Sequence, residues 1–477
     1  MPDSVQPFTI HDVPGGLPLL GQLRRFKQGP LNIMSTWWRQ HGDALRFKLG
    51  PKTLYLFSHP ELAEEILVQQ SDRFVKVYEH QRPVGLALVL GNGLVTSSGE
   101  AWRRHRRIMQ PVFHRSRVAS MADRMVQVGE QRLESWADYG EQPVDIAKEM
   151  MKLALEVISQ TMFTTSVAEH MDQISHALRV SLKYAFDSFH NPLRPPMWVP
   201  TASNREFRAV TQFLDTLVYG LLAERRRSGQ RHDDLLDLLI KARDEESGAT
   251  LSDQELRDET LTIFAAGHET TANALAWTWY LLATHPEAKA RFHEELDRVL
   301  QGRTPKADDL QHLPYTRAVF DESLRLYPPV PAIQRKAVTR VIVGGLSLPA
   351  NAVVLIGTHN LHRHPAFWRD PDGFVPERWL DGGERPTARC AYLPFGAGPR
   401  ACLGMYFATV EGPLLLALIG CRYDLELAQE PVEPEVMITL RPKRHTHDTA
   451  RPVWADHIHH LDVSITVLVL SHHPSGV

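Results

Sequence analysis

The sequence predicts a mainly α-helical body with a small β region, and three observations predict it. One stretch of about 32 residues runs without a break from Ser252 to Thr284, far beyond a typical helix of ~11–12 residues. Period-two alternation is confined to short runs, the clearest being apolar Leu45, Phe47 and Leu49 against Arg46 and Lys48. No internal repeat and no linker divides the 477 residues, so a single fused body fits better than a string of separate units.

The elements follow in order. Val13 to Gly21 is a strap broken by proline and glycine, and a helix is expected near Asn32–His41. Strands are expected at Leu45–Leu49 and Thr53–Phe57, joined by a turn marked by Gly50 and Pro51. From about Pro60 to Gln311 the chain reads as mostly helical. Within it, Ser252 and Glu255 form a capping box that opens the long helix. At 1.5 Å per residue that helix spans ~48 Å. It is apolar all round near Ala272–Ala283, which predicts burial. Beyond residue 340 come strands at Val341–Leu348 and Ala352–Ile356, a proline-rich meander over Pro365–Phe395, and a last helix from near Cys402. Residues 1–443 are expected to form one domain. Residues 444–477 are an atypical, loosely ordered tail whose His457, His459, His460, His472 and His473 would bind metal or simply stand on the surface.

Composition excludes several classes. A net charge of −3 gives no reason to expect nucleic acid as a partner. Three cysteines, Cys390, Cys402 and Cys421, are too few and too odd for a disulfide framework and point to a reducing, cytoplasmic setting. Met1 to Gly16 lacks the apolar core of a signal peptide, and no run of ~18 apolar residues is present to span a membrane. A monomer is expected.

Phe395-Gly-Ala-Gly-Pro-Arg-Ala-Cys402-Leu-Gly404 is the most informative segment. Cys402 sits between a glycine-rich loop and a helix N-terminus, where free N–H groups and the helix dipole favour a thiolate. Gly396, Gly398 and Gly404 allow backbone to approach the sulfur and a flat ligand, Phe395 is an apolar cover, and Arg400 is a nearby cation. Such a sulfur suits an axial iron ligand; a buried structural cysteine is the plainer alternative. The segment resembles the haem-binding signature Phe-x-x-Gly-x-Arg-x-Cys-x-Gly of the cytochrome P450 family at every fixed position.

Further segments match the family in its order. Glu322 and Arg325 share a helix face three residues apart, which alone reads as a surface ion pair. With Arg378 of Pro376-Glu-Arg-Trp379 they resemble the family's buried Glu–Arg–Arg triad, which implies a role in fold and cofactor retention. Ala266-Gly-His-Glu-Thr-Thr271 lies mid-way along the long helix. Gly267 costs about 1 kcal/mol against alanine there, so it makes room for something. Ala272 rules out a His-Glu-x-x-His zinc helix. The resemblance makes this the oxygen-binding segment, with Thr270 steadying dioxygen and Glu269 relaying protons. Trp102 and Arg106 face one way on another helix, and the family resemblance directs them, with Arg335 and Arg400, to the haem propionates. His105 reads as an ordinary helix residue. Arg103, Arg104 and Arg107 suggest a basic patch for an acidic electron carrier or a solvated face.

The resemblance covers the chain from the strap to about Lys443, with Pro413 inside the last helix as a departure that predicts a kink. It implies a triangular haem-enclosing fold, haem b held by the Cys402 thiolate, and oxygen insertion into a lipophilic molecule such as a terpenoid, steroid, polyketide or fatty acid. Alignment of the motifs lines the pocket with Val89, Leu90, Phe264, Ala265, Ala266, Val330, Ala332, Ile333, Met437 and Ile438. Tyr184–Pro200 reads as an entrance lid or an interhelical loop, and Lys52 with Tyr55 as a carboxylate clamp or an ordinary strand surface. Electrons are expected from a separate ferredoxin or flavodoxin-type donor with its reductase. A peroxygenase or isomerase on the same fold, or a non-catalytic haem-thiolate sensor, are the alternatives.

Overall fold

Period two produces a sheet where it was expected. β1 (Ala44–Leu49) and β2 (Lys52–Phe57) pair antiparallel, with Ala44 opposite Phe57 and Leu49 opposite Lys52. The computed structural model describes residues 8–78, 83–139, 142–165, 168–190, 194–230, 232, 234–243, 248, 250–428, 432–443 and 465–471.

The helical body is built from α1 (Gly99–Met109), α2 (Arg115–Glu134), α3 (Ile146–Met162), α4 (Met171–His190), α5 (Ala202–Ser228), α6 (Asp253–Thr284), α7 (Pro286–Leu300) and α8 (Pro314–Leu326). Helix α6 is the predicted long helix. Ser252 caps it through the reciprocal bonds of a capping box, and it stops at His285, ahead of Pro286. Most of its side chains are buried on every face, as the missing polar stripe requires. Gly267 explains part of that packing: a Cβ there would stand 2.8 Å from Ile158 Cδ1, so the glycine lets α6 press against α3.

β3 (Ile333–Ala337) and β4 (Val353–Ile356) complete the main sheet, whose order is His11–Asp12, β1, β2, β4, β3, Phe74–Val75. Its buried face, including Phe57, Val354 and Ile356, packs on Leu62, Ile66 and the meander residues Cys390 and Leu393. The single strand expected at Val341–Leu348 is instead a hairpin of Val341–Val343 and Leu346–Leu348. Gly344 and Gly345, at φ +54° and +80°, adopt the left-handed turn that a continuous strand excludes.

α9 (Met405–Gly420) follows the cysteine loop and runs through Pro413. Gly412 and Gly420 let this helix pack closely against Phe320 and Phe292. Beyond it lie β5 (Tyr423–Leu427), the hairpin β6 (Pro434–Val436) and β7 (Leu440–Pro442), and β8 (Thr466–Ser471). β8 is the central strand between β5 and Val144–Asp145. Residues 466–471 of the expected loose tail are therefore sheet, anchored by buried Ile465 and Val467. The tail histidines lie outside the described residues. Among the described residues no helix is long and apolar enough to cross a membrane.

Candidate functional site

Backbone geometry shapes the cysteine loop first. The Cys402 N–H donates to the Phe395 carbonyl at 2.8 Å, closing the loop, and Ala401 N–H bonds Gly398 O at 3.0 Å. Gly396 and Gly398 adopt φ of +68° and +71°. A Cβ on Gly398 would fall on the Leu67 carbonyl, so only glycine fits that crossing. Burial raises the Cys402 thiol, against the lowering by a Gly404 N–H and by Arg106. The sequence expected the N–H groups and dipole at the helix start to prevail. Desolvation outweighs them, and a thiolate at this depth needs a cation bound to it. Cys402 is nevertheless exposed, whereas Cys390 and Cys421 are buried in the protein core. A sulfur that is desolvated by depth yet open at its own surface lines an interior space.

Four cations gather around this loop. Arg106 Nη1 donates to the Ala401 carbonyl at 2.7 Å, and Arg400 Nη1 to Ser97 O at 2.9 Å. The Arg400 guanidinium lies 4.1 Å over the Trp102 ring. Arg335 is buried and bonds its neighbouring Gln334 carbonyl at 2.9 Å. Lys76, which the motif reading missed, joins them from the segment after Phe74–Val75. Burial, then the charges of Arg335 and Arg400, push its amine well below the ordinary range. Burial, then Arg335 and Arg106, bring Arg400 down to about 10; burial brings Arg335 to about 10 as well. Among the described residues none of the four has a carboxylate partner in an ion pair. Such a cluster is costly unless an anion completes it, a charge that the two propionates of a haem would supply. Among the described residues no three His, Cys, Asp or Glu could hold a bare metal ion. A lone open cysteine sulfur would fit an iron whose other donors come with its own macrocycle. The residues therefore fit haem.

The triad that the family resemblance implies is assembled. Arg325 Nη2 and Nε bond Glu322 Oε1 and Oε2 at 2.8 and 2.9 Å, and Arg378 Nε bonds Oε1 at 3.0 Å. Trp379 Nε1 and the Val375 N–H fill the remaining lone pairs at 2.9 Å. The other guanidinium hydrogens reach the carbonyls of His362, Pro371, Gly373, Arg369 and Asp370. His362, unnoticed in the sequence, accepts the Leu393 N–H on Nε2 at 2.7 Å and donates from Nδ1 to Arg325 O at 3.0 Å. The triad and His362 thus tie α8 to the meander that leads into the cysteine loop.

On α6, burial is interrupted at Ala266, Gly267 and Thr270. Thr270 Oγ donates back to Ala266 O at 2.6 Å. Glu269 is buried, which raises its carboxyl, and it accepts the Thr439 hydroxyl at 2.7 Å. His268 is buried against α3 and burial holds it neutral, down to about 4. The ten pocket candidates divide. Ala266, Val330, Ala332, Ile333, Met437 and Ile438 keep open surface. Val89, Leu90, Phe264 and Ala265 are buried in the protein core. Phe264 stacks on Phe163 with ring centroids 4.3 Å apart, so its ring belongs to the α6–α3 interface rather than the pocket wall.

Other expectations change in three dimensions. His105, read as an ordinary helix residue, is buried between two carboxylates: its Nδ1 lies 2.7 Å from Glu259 and its Nε2 3.3 Å from Glu255. Arg104 turns to Glu255 at 2.5 Å and to Thr250 O at 2.8 Å, which takes it out of the basic patch; Arg107 also has a partner, leaving Arg103 exposed. Tyr184 lies within α4, stacked on Phe207, and its hydroxyl bonds Asn204 at 2.8 Å; residues 191–193 of the expected lid lie outside the described residues. Tyr55 is buried in the sheet core, which removes it from a surface clamp with Lys52.

Known proteins resemble this chain over nearly its whole length. The family model described as "Cytochrome P450" matches residues 12–448. "Cyclooctatin synthase" of Streptomyces melanosporofaciens is 37% identical, over 95% of this chain and 97% of that protein. "Cyclooctat-9-en-7-ol 5-monooxygenase" of the same organism is 36% identical, over 88% and 90%. "Pentalenene oxygenase" of Streptomyces avermitilis is 32% identical, over 92% and 97%. The crystal structure of a cytochrome P450DA heme domain superposes with a TM-score of 0.85 at 27% identity, covering 98% of this chain and 99% of that one.

Proposed function

This chain belongs to the cytochrome P450 family, and on that premise we propose that Cys402 is the thiolate that holds its haem and that its substrate is a terpenoid. The protein is a haem-thiolate monooxygenase of a lipophilic small molecule. The carrying observation for the cofactor site is the cluster of Lys76, Arg106, Arg335 and Arg400 beside an open Cys402 sulfur. The terpenoid reading rests on the relatives, whose names specify cyclooctat-9-en-7-ol and pentalenene.

When bound, the haem activates dioxygen and transfers one oxygen atom to a C–H bond or an alkene. The chain's residues do the rest. Arg106, Arg335, Arg400 and Lys76 hold the propionates. Trp102, stacked under Arg400, fixes that guanidinium in place. Thr270, whose hydroxyl donates to Ala266 O, would offer it instead toward the open side of α6 and hold a proton there. Glu269 carries protons to it. Ala266, Val330, Ala332, Ile333, Met437 and Ile438 present an apolar wall that excludes water and positions the hydrocarbon. The electrons come from a redox protein, which we take to be a ferredoxin or flavodoxin-type donor acting on a monomer.

Spectra test both parts. The reduced wild type with carbon monoxide is expected to show the red-shifted Soret band of thiolate ligation, and Cys402→Ser to lose it; survival of that band in the variant would reject Cys402. In a panel of pentalenene, cyclooctat-9-en-7-ol, a steroid, a polyketide and a fatty acid, the terpenoids are expected to give the largest low-to-high spin conversion. A steroid or fatty acid ranking first would replace the substrate class.

A further inference from the structure

Glu269 does not stand free on α6. Its Oε1 accepts the hydroxyl of Thr439 at 2.7 Å, and the Thr439 oxygen accepts Asn273 Nδ2 at 3.1 Å. All three side chains are buried. Asn273 lies one turn beyond Glu269, so amide and carboxyl flank Thr439 from the same face of α6. A threonine hydroxyl owns one proton, and here it is committed to Glu269. The carboxyl is therefore held toward the β6–β7 hairpin. The turn of that hairpin contains Met437 and Ile438, immediately before Thr439. The next residue is fixed: Leu440 N–H bonds Pro329 O at 2.9 Å, and Trp277 Nε1 bonds Leu440 O at 3.3 Å. Thr439 thus sits where a pinned strand meets a half-open, apolar turn.

We propose that Thr439 is a positioning residue for proton delivery, holding Glu269 against the β6–β7 turn and releasing it toward Thr270 when a ligand seated on Met437 and Ile438 displaces that turn. The proposal rests on the reading of Glu269 as the proton carrier. One proton moves: the carboxyl gives it to the oxygen site and regains it from solvent, and Thr439 supplies none. A hydroxyl donated to a carboxylate favours the charged form, so Thr439 also lowers the pH at which Glu269 ionises, in the same direction as Arg441.

The test uses the full haem-loaded chain with a reconstituted electron-transfer chain. Infrared difference spectra are recorded with and without phenylimidazole, an apolar azole that fills the pocket whatever the natural substrate. The Glu269 carboxyl band, identified by its loss in Glu269→Gln, is expected to shift on azole binding in the wild type. In Thr439→Val the shift disappears and the ionisation midpoint rises by about one pH unit, while Thr439→Ser restores both. With the best terpenoid of the panel, Thr439→Val is expected to lower product formed per reductant consumed by roughly tenfold, with peroxide released instead. An unmoved carboxyl band in the wild type overturns the release, and this holds even where Thr439→Val fails to fold. Unchanged coupling in Thr439→Val alongside uncoupled Glu269→Gln overturns the positioning role alone. Full coupling in Glu269→Gln overturns the proton-carrier reading itself.

Discussion

Two regions of this molecule bury arginines in opposite ways. Around Glu322, Arg325 and Arg378 share one carboxylate and spend their remaining hydrogens on five backbone carbonyls. Around Cys402, Arg335 and Arg400 are pushed down to about 10 and Lys76 further, with no carboxylate among the described residues to receive them. A buried charge persists only when something pairs with it. The first region is complete from the chain alone, so it serves the fold. The second lacks an anion among the described residues, which is the charge that the proposed haem propionates would bring.

The largest expected break of this contrast is Glu322→Ala. It strands two buried guanidiniums, at a cost of about 3–5 kcal/mol, a large share of the ~5–15 kcal/mol that a domain has. Little folded, haem-containing protein is expected, read as haem per chain and urea midpoint. Retention of wild-type stability would mean that the carbonyls alone suffice.

The opposite sign is expected in the second region. Lys76→Met with Arg335→Gln removes repulsion from the haem-free chain and propionate contacts from the loaded one. The haem-free protein gains thermal stability, and haem dissociates faster by roughly tenfold. Added salt stabilises the haem-free wild type more than the double variant, because screening acts on the repulsion that the variant lacks. A double variant destabilised in both forms would show that the cluster is structural.

Glu411 of α9 sharpens the comparison as the reverse case, an acid with no cation. It is buried, its Oε2 has no partner, and burial pushes its carboxyl up to about 8 from 4.5. Its folded form binds a proton more tightly than its unfolded form, so its stabilising effect is full below about 4.5 and is lost as pH rises to 8. Glu255 runs the other way: desolvation is outweighed by the Ser252 N–H, Arg104 and His105, which bring it down to about 2. Its contribution is present above 4.5 and lost as pH falls toward 2. Glu411→Gln is expected to flatten the neutral limb of the denaturation-midpoint profile and leave the acid limb; a neutral limb that survives would assign the slope to another group.

The sequence by itself determined whatever chemistry is contiguous in the chain. The glycines around Cys402, the capping box of α6, the Glu322–Arg325 spacing and the alternation in β1 all act within a few residues, so a local pattern carries them. Tertiary structure alone decided what depends on distant segments meeting. Phe264 reads as pocket until Phe163 stacks on it. His105 reads as an ordinary helix residue until Glu259 arrives from α6. Lys76 has no motif and acquires its place from Arg335 and Arg400. Residues 466–471 read as tail until β5 and Val144–Asp145 close on either side. Thr439 and Glu269 are 170 residues apart, and no periodicity links them. Period and turn chemistry are properties of a short piece of backbone, whereas a side chain's hydrogen-bond partner and desolvation are properties of the packed body.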